Sequence, residues 1–304
     1  MLLTILAASS VLTSQSVNYA RAIAVSPNGQ TIAVGGWNQT VEFYRPDGTY
    51  VTRLGSFSRH VTGLSWDRTG TRVAVSVADG TVGVWDLRRE SWVWSKNSGT
   101  SFASGVEMLP GGDVISSGYD NRLKRWNGQN GRLMRTFTGL PSDAYGMAAS
   151  FDGRTVVGFG PDGANVWDAV SGRNLGNIRR NTNYGTAAFI SKGQTIVLHM
   201  LDGKVSFHGM RLGEAEIREW NASSLAASPA APFLAVGTKV GGVFWFNTVD
   251  GDTLWTNTGG TTEVTAMAVS RDGTRVWAAY QDGTVRGIRT RDGQVTATIT
   301  LADN

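Results

Sequence analysis

A chain of 304 residues with 41% hydrophobic side chains has enough apolar material to bury about three quarters of its unfolded surface, which excludes a disordered protein. The absence of cysteine removes disulfide scaffolds, thiolate metal sites and cysteine nucleophiles together. A formal charge of +4, from 28 basic and 24 acidic residues, is a mild excess scattered along the chain, with Arg88-Arg89 and Arg179-Arg180 as its densest pairs, and nucleic-acid binding is not expected.

No apolar run reaches the ~18 residues of a membrane-spanning helix. The balance of 39 glycines against 7 prolines, with 11 Trp, 11 Phe and 7 Tyr, favours short strands and many turns over long helices.

In chain order, the first segment is Met1-Leu-Leu-Thr-Ile-Leu-Ala-Ala-Ser-Ser-Val-Leu12. Its apolar core runs into small residues as a signal peptide does, but no Lys or Arg precedes it and the first basic residue is Arg21. Residues 1–20 are therefore read as an N-terminal edge strand, with a leader as the alternative. The strand reading goes with a cytoplasmic protein, and a signal peptide over residues 1–16 with a secreted or periplasmic one.

From there a repeat runs the length of the chain. Asp-Gly-Thr-Val-Gly-Val-Trp-Asp at 79–86 returns as Asp-Asn-Arg-Leu-Lys-Arg-Trp-Asn at 120–127 and as Asp-Gly-Ala-Asn-Val-Trp-Asp at 162–168. Weaker copies stand at 38–44, 202–208, 241–247 and 282–289. The turn residues Asn38, Asp79, Asp120, Asp162 and Asp202 are separated by 41, 41, 42 and 40 positions, and 80 residues lead on to Asp282. A second turn series runs in phase: Asn28-Gly29, Thr69-Gly70, Gly111-Gly112, Asp152-Gly153, Lys192-Gly193 and Asp272-Gly273, with Ser228-Pro-Ala-Ala-Pro232 in the sixth unit.

Each unit divides into three strands of period-two alternation, such as Ala22 to Val25, Thr31 to Val34 and Thr40 to Phe43, plus a more exposed fourth such as Leu133 to Thr138. The expected fold is all-β: one seven-bladed β-propeller of four antiparallel strands per blade. The blades are placed near 21–59, 60–100, 101–142, 143–181, 182–221, 222–261 and 262–304. The last blade holds four strands of its own, and Leu3 to Thr13 is expected to pair with its outer edge.

A period near 40 residues, with an Asp-Gly turn before a strand ending in Trp-Asp, resembles the WD40 β-propeller family over essentially the whole chain. The family's Gly-His pair is absent, since His60, His199 and His208 are the only histidines and none follows glycine at that place. A weaker echo of quinoprotein-like propellers appears in Asn247 to Trp255 and Trp85 to Trp94. Trp85, Trp126 and Trp167 are expected to pack between blades, and Asp79, Asp120, Asp162, Asp202 and Asp282 to form turns by side-chain to backbone hydrogen bonds.

Chemistry is sparse. No phosphate loop and no Gly-x-Ser-x-Gly elbow occurs, and neither a metal nor a cofactor is expected. His199 and His208 on neighbouring strands read as two unrelated strand residues, one standing in for the Asp of Trp-Asp. Asp250-Gly-Asp252 reads as a hairpin turn rather than a calcium loop, and Asn38-Gln-Thr40 and Asn221-Ala-Ser223 are glycosylation sequons by pattern alone.

The remaining candidates are surface residues. Those just before each inner strand are Tyr19, His60, Phe102, Asp143, Asn183, Asn221 and Glu263. Those before each second turn are Trp37, Ala78, Tyr119, Pro161, Leu201, Lys239 and Gln281. Aromatic residues concentrate in the first three blades, where Tyr19, Arg21, Trp37, His60, Phe102, Tyr119 and Tyr145 compose a partly cationic sector with the make-up of a binding hot spot for a protein or peptide partner. WD40 resemblance implies a non-catalytic interaction scaffold, a subunit of a larger assembly. The alternative is a lactonase-like or quinoprotein-like enzyme working at the central channel.

Overall fold

The computed structural model describes residues 18–178, 183–190, 195–209 and 216–301. Every regular element in it is a β-strand, and the strands form seven sheets of four, each antiparallel and in simple sequence order. The inner strands are Ala20–Val25, Val61–Trp66, Ala103–Met108, Gly146–Ala149, Tyr184–Ile190, Ala222–Ala227 and Val264–Val269. Among the described residues no helix is long and apolar enough to cross a membrane. The proposed edge strand Leu3 to Thr13, the Lys192-Gly193 turn and the Arg179-Arg180 pair lie outside the described residues.

Turn chemistry separates the strands at the expected places. Gly29 at φ +69° and Gly80 at +89° occupy the left-handed region that side-chain-bearing residues avoid, while Gln39 and Asn121, both at +60°, take it without glycine in blades one and three.

The second strand of each blade departs from simple alternation. Ile32–Gly36, Val114–Gly118 and residues 73–77 are buried at every position, because both faces of these strands pack against neighbouring strands or blades. Fourth strands such as Tyr50–Leu54 and Leu133–Phe137 are exposed at all but the last residue, as outermost edges must be.

Apolar packing is organised by seam rather than by blade. Seven clusters of buried residues are found among the described residues, each joining two adjacent blades. One of them closes the ring by setting Ile23, Ile32 and Tyr44 of blade one against Trp277, Val285 and Ile299 of blade seven. Two hydrogen bonds across 245 and 229 residues of sequence complete that closure: Thr265 Oγ1 donates to Ala20 O at 2.6 Å, and Arg275 Nη1 to Pro46 O at 2.9 Å.

Trp126 and Trp167 are buried at the seams between blades two and three and between three and four, and Trp85 packs half-buried between one and two. His208 pairs with Ile196 just as Trp126 pairs with Val114, so it takes the place of the Trp and not of the Asp that the sequence suggested. The strand register, which counts from the Asp202 turn, decides this.

Candidate functional site

The rim of the channel is built by one backbone device repeated around the ring. The residue before each second turn donates its N–H to the carbonyl of the residue before the inner strand: Trp37 to Tyr19 at 3.2 Å, Ala78 to His60 at 3.0 Å, Tyr119 to Phe102 at 3.0 Å. Leu201 with Asn183, Lys239 with Asn221 and Gln281 with Glu263 follow the same pattern at 2.9 to 3.0 Å. Blade four breaks it because Pro161 has no N–H to give. Close approach here needs glycine: a Cβ on Gly36 would lie 2.2 Å from the Tyr19 carbonyl oxygen.

These pairs carry their side chains into one continuous arc. Tyr19 lies 6.0 Å from Trp37, Trp37 stacks on His60 at 4.3 Å, and His60 is 5.8 Å from Phe102. Phe102 stacks on Tyr119 at 4.5 Å, which is 5.7 Å from Tyr145. Six rings from four blades thus follow one another in stacked and tilted contacts, with Trp37 45%, Tyr119 39% and Tyr145 36% exposed. Arg21, also exposed, borders the same central cavity of about 610 Å³.

Electrostatics within the arc follow from this crowding. Burial holds the His60 imidazole below its usual pKa, and the positive charges of Arg21 and Arg59 add to the effect, so the ring is neutral and stacks as an apolar surface. Its Nε2 is buried without a hydrogen-bond partner among the described residues. Burial and the neighbouring Tyr145 push the Tyr119 phenol upward, against a smaller opposing pull from Arg21.

Away from the arc the channel wall shows a second repeated device. Thr62, Ser104, Ser223 and Thr265, each second in its inner segment, donate their hydroxyls to Ala103, Ala144, Val264 and Ala20 of the next blade at 2.6 to 2.7 Å. Blade five has Gly185 at that place. There His199, on the adjacent strand, reaches across with Nε2 to the Ala222 carbonyl at 3.0 Å and makes the clasp instead. Because a carbonyl only accepts, Nε2 carries the proton and Nδ1 is left as a buried lone pair with no partner among the described residues. Composition did not reveal this role. A glycine at 185, where four other blades carry Ser or Thr, is the signal that could have.

His199→Ser is expected to destabilise the fold by about 1–3 kcal/mol, through a lost hydrogen bond to a buried carbonyl. Adding Gly185→Ser should restore most of it by recreating the Ser104 and Ser117 pair of blade three, whose hydroxyls are 2.9 Å apart. Burial depresses the His199 pKa from 6.5 to about 4. The unfolded chain therefore binds the proton first, and wild-type stability should fall as pH drops from 6.5 towards 4. Denaturant titrations across that range should show a weaker pH dependence in the double variant; equal slopes, or no recovery, would refute the assignment.

The remaining residues singled out by the sequence are dispersed. Asp79, Asp202 and Asp282 accept the N–H two residues on at 2.9 to 3.1 Å, the expected turn. Asp120 instead holds Lys124 Nζ at 2.5 Å, and Asp162 is joined through its own N–H to Ser142 Oγ at 3.3 Å. These two depart from the expected turn bond: in one case a buried lysine claims the carboxylate, and in the other the turn is anchored from the preceding loop. Asp250 accepts from Asn247 Nδ2 at 2.7 Å and from the Asp252 N–H at 3.1 Å, a hairpin turn. His199 pairs with Val205 and His208 with Ile196, so the two histidines are not brought together. Among the described residues no three His, Asp or Glu are grouped to hold a metal ion.

Comparison with known proteins agrees with this architecture. The family model "WD domain, G-beta repeat" matches residues 9–45 and 51–86. Mouse telomerase protein component 1 is 31% identical over 172 residues, which are 55% of this chain and 6% of that protein. Groucho of Drosophila melanogaster is 26% identical over 40% of the chain and 17% of its own length. Autophagy-related protein 16 of Arabidopsis thaliana is 22% identical over 64% of the chain and 39% of its own length. The chain thus spans only a small part of the relatives it matches. Seven four-stranded blades in phase with a 40-residue repeat, and a family match over two of the repeats, make this chain a seven-bladed β-propeller that resembles the WD40-repeat family.

Proposed function

We propose that this propeller is a non-catalytic interaction module that docks a segment of a protein partner on the aromatic arc at the mouth of its channel. The observation that carries the reading is the arc itself: six rings from four blades in mutual contact, three of them more than a third exposed. Rings of this kind offer large contact area at low side-chain entropy cost, which is why aromatic clusters dominate binding hot spots. Wide exposure of such rings is not what folding requires, since each blade seam is already closed by its own apolar cluster.

WD40 propellers are protein-binding scaffolds as a class, and one relative is by its name a component of telomerase, a setting in which an adaptor is at home. The experiment is affinity capture from the native source followed by measured affinities for the captured partner. Trp37→Ala with Tyr119→Ala should lose the partner, and charge reversal at Arg88 and Arg89, exposed on a turn at the far end of blade two, should keep it. The opposite result would move the interface to the blade edge.

A further inference from the structure

The second place of each inner segment has a structural duty in four blades; in blade five His199 takes that duty over from Gly185, and blades one and four are exempt from it. Where Thr62, Ser104, Ser223 and Thr265 clasp the next blade, blade one carries Arg21 and blade four Tyr145, both exposed at the arc. Among the described residues Arg21 makes no ion pair and no side-chain hydrogen bond, and neither does Arg59, the exposed neighbour of His60. Each is near enough to the imidazole to bear on its charge. Two cations without counter-ions therefore border a surface of stacked rings.

Acids nearby do not neutralise them. Asp79 is engaged by the Ser58 hydroxyl and the Thr81 N–H, and Glu263, on the wall contributed by blade seven, forms no ion pair with Arg21. Asp143 acts on Tyr119 from the far end of the arc, where its influence is smaller than that of Arg21.

Resting on the reading of the arc as a docking surface, we propose that its partner is an acidic peptide segment: an aromatic or aliphatic side chain laid on the rings, flanked by carboxylates that pair with Arg21 and Arg59. Guanidinium to carboxylate bonds are charge-assisted and supply the direction and register that stacked rings alone lack. A single-stranded nucleic acid fits less well. Its bases need free ring faces and its backbone a continuous track of cations, whereas here Trp37 and His60, and Phe102 and Tyr119, cover each other's faces, and the cations that act on the arc's imidazole are Arg21 and Arg59.

The test uses three synthetic peptide libraries that differ only in charge, each with a fixed central Trp flanked by Glu, Gln or Lys, together with a labelled single-stranded oligonucleotide. Binding to the full chain is followed by fluorescence anisotropy at low salt. The Glu library should bind at least about tenfold more tightly than the Lys library, equivalent to ~1.4 kcal/mol. Arg21→Glu with Arg59→Glu should invert that order while leaving circular dichroism unchanged, since both side chains are exposed.

Equal or better binding of the Gln or Lys library, binding of the oligonucleotide alone, or binding of no probe would overturn the proposal. If all libraries bind alike and Trp37→Ala abolishes them, the docking surface stands and the acidic preference falls. If the Glu library wins and Trp37→Ala has no effect, the charge preference holds, but the docking surface on which the proposal rests is wrong.

Discussion

Replacing Trp167 by alanine is expected to cost about 3–5 kcal/mol of stability and to lower the melting temperature by on the order of 10 °C. Its indole is 1% exposed at the seam between blades three and four, 5.9 Å from the Phe137 ring, and its Nε1 donates to Thr138 O at 3.3 Å. Truncation would open a cavity lined by both blades at once, so neither can relax without shifting the other. Trp126→Ala should cost a similar amount, since this residue is 5% exposed and its Nε1 is held by Ser116 Oγ at 2.8 Å. A smaller effect is expected for Trp85, which is only half-buried and meets Trp92 edge to face at 5.4 Å. Calorimetry on the three variants checks both size and order. A Trp126→Ala protein that melts with the wild type would mean that this seam is not held as described.

Loss of Trp37 or Tyr119 is expected to weaken partner binding about 30-fold each, on the rule that a central aromatic anchor contributes ~2 kcal/mol and that ~1.4 kcal/mol is tenfold. Stability should change little, because each ring is already more than a third exposed. One spectroscopic consequence separates the arc from a generic hydrophobic surface. Burial is the first cause of the depressed His60 pKa, and Trp37 is the ring stacked on that imidazole. Trp37→Ala should therefore admit water to Nε2 and raise the His60 pKa towards 6.5, which proton NMR titration reads directly. An unchanged His60 titration would show that something other than Trp37 shields the imidazole. Unchanged affinity for the partner would remove the arc from the interface.

Much of this molecule is legible from local signals. Turn residues at Asp79, Asp120, Asp162 and Asp202, in phase with a second turn series, fix strand lengths and blade number, because each is a short-range choice between turn and strand. The two rim series were legible for the same reason: Tyr19 and Trp37, or Phe102 and Tyr119, end strands joined by one hairpin, and antiparallel pairing brings such residues opposite each other. Residues some 40 positions apart belong to different blades, and their meeting depends on ring closure and on which way each side chain turns. Only tertiary structure decided that Trp37 stacks on His60 of the next blade, and that His60 meets Phe102 and Tyr119 meets Tyr145 across two further seams, to make one arc. It also decided that second strands are buried on both faces, and that His199 supplies across a seam the hydrogen bond that Gly185 cannot make. Propensity and periodicity act along one chain segment, whereas seams are surfaces between segments, and their contacts exist only once seven blades have closed into a ring.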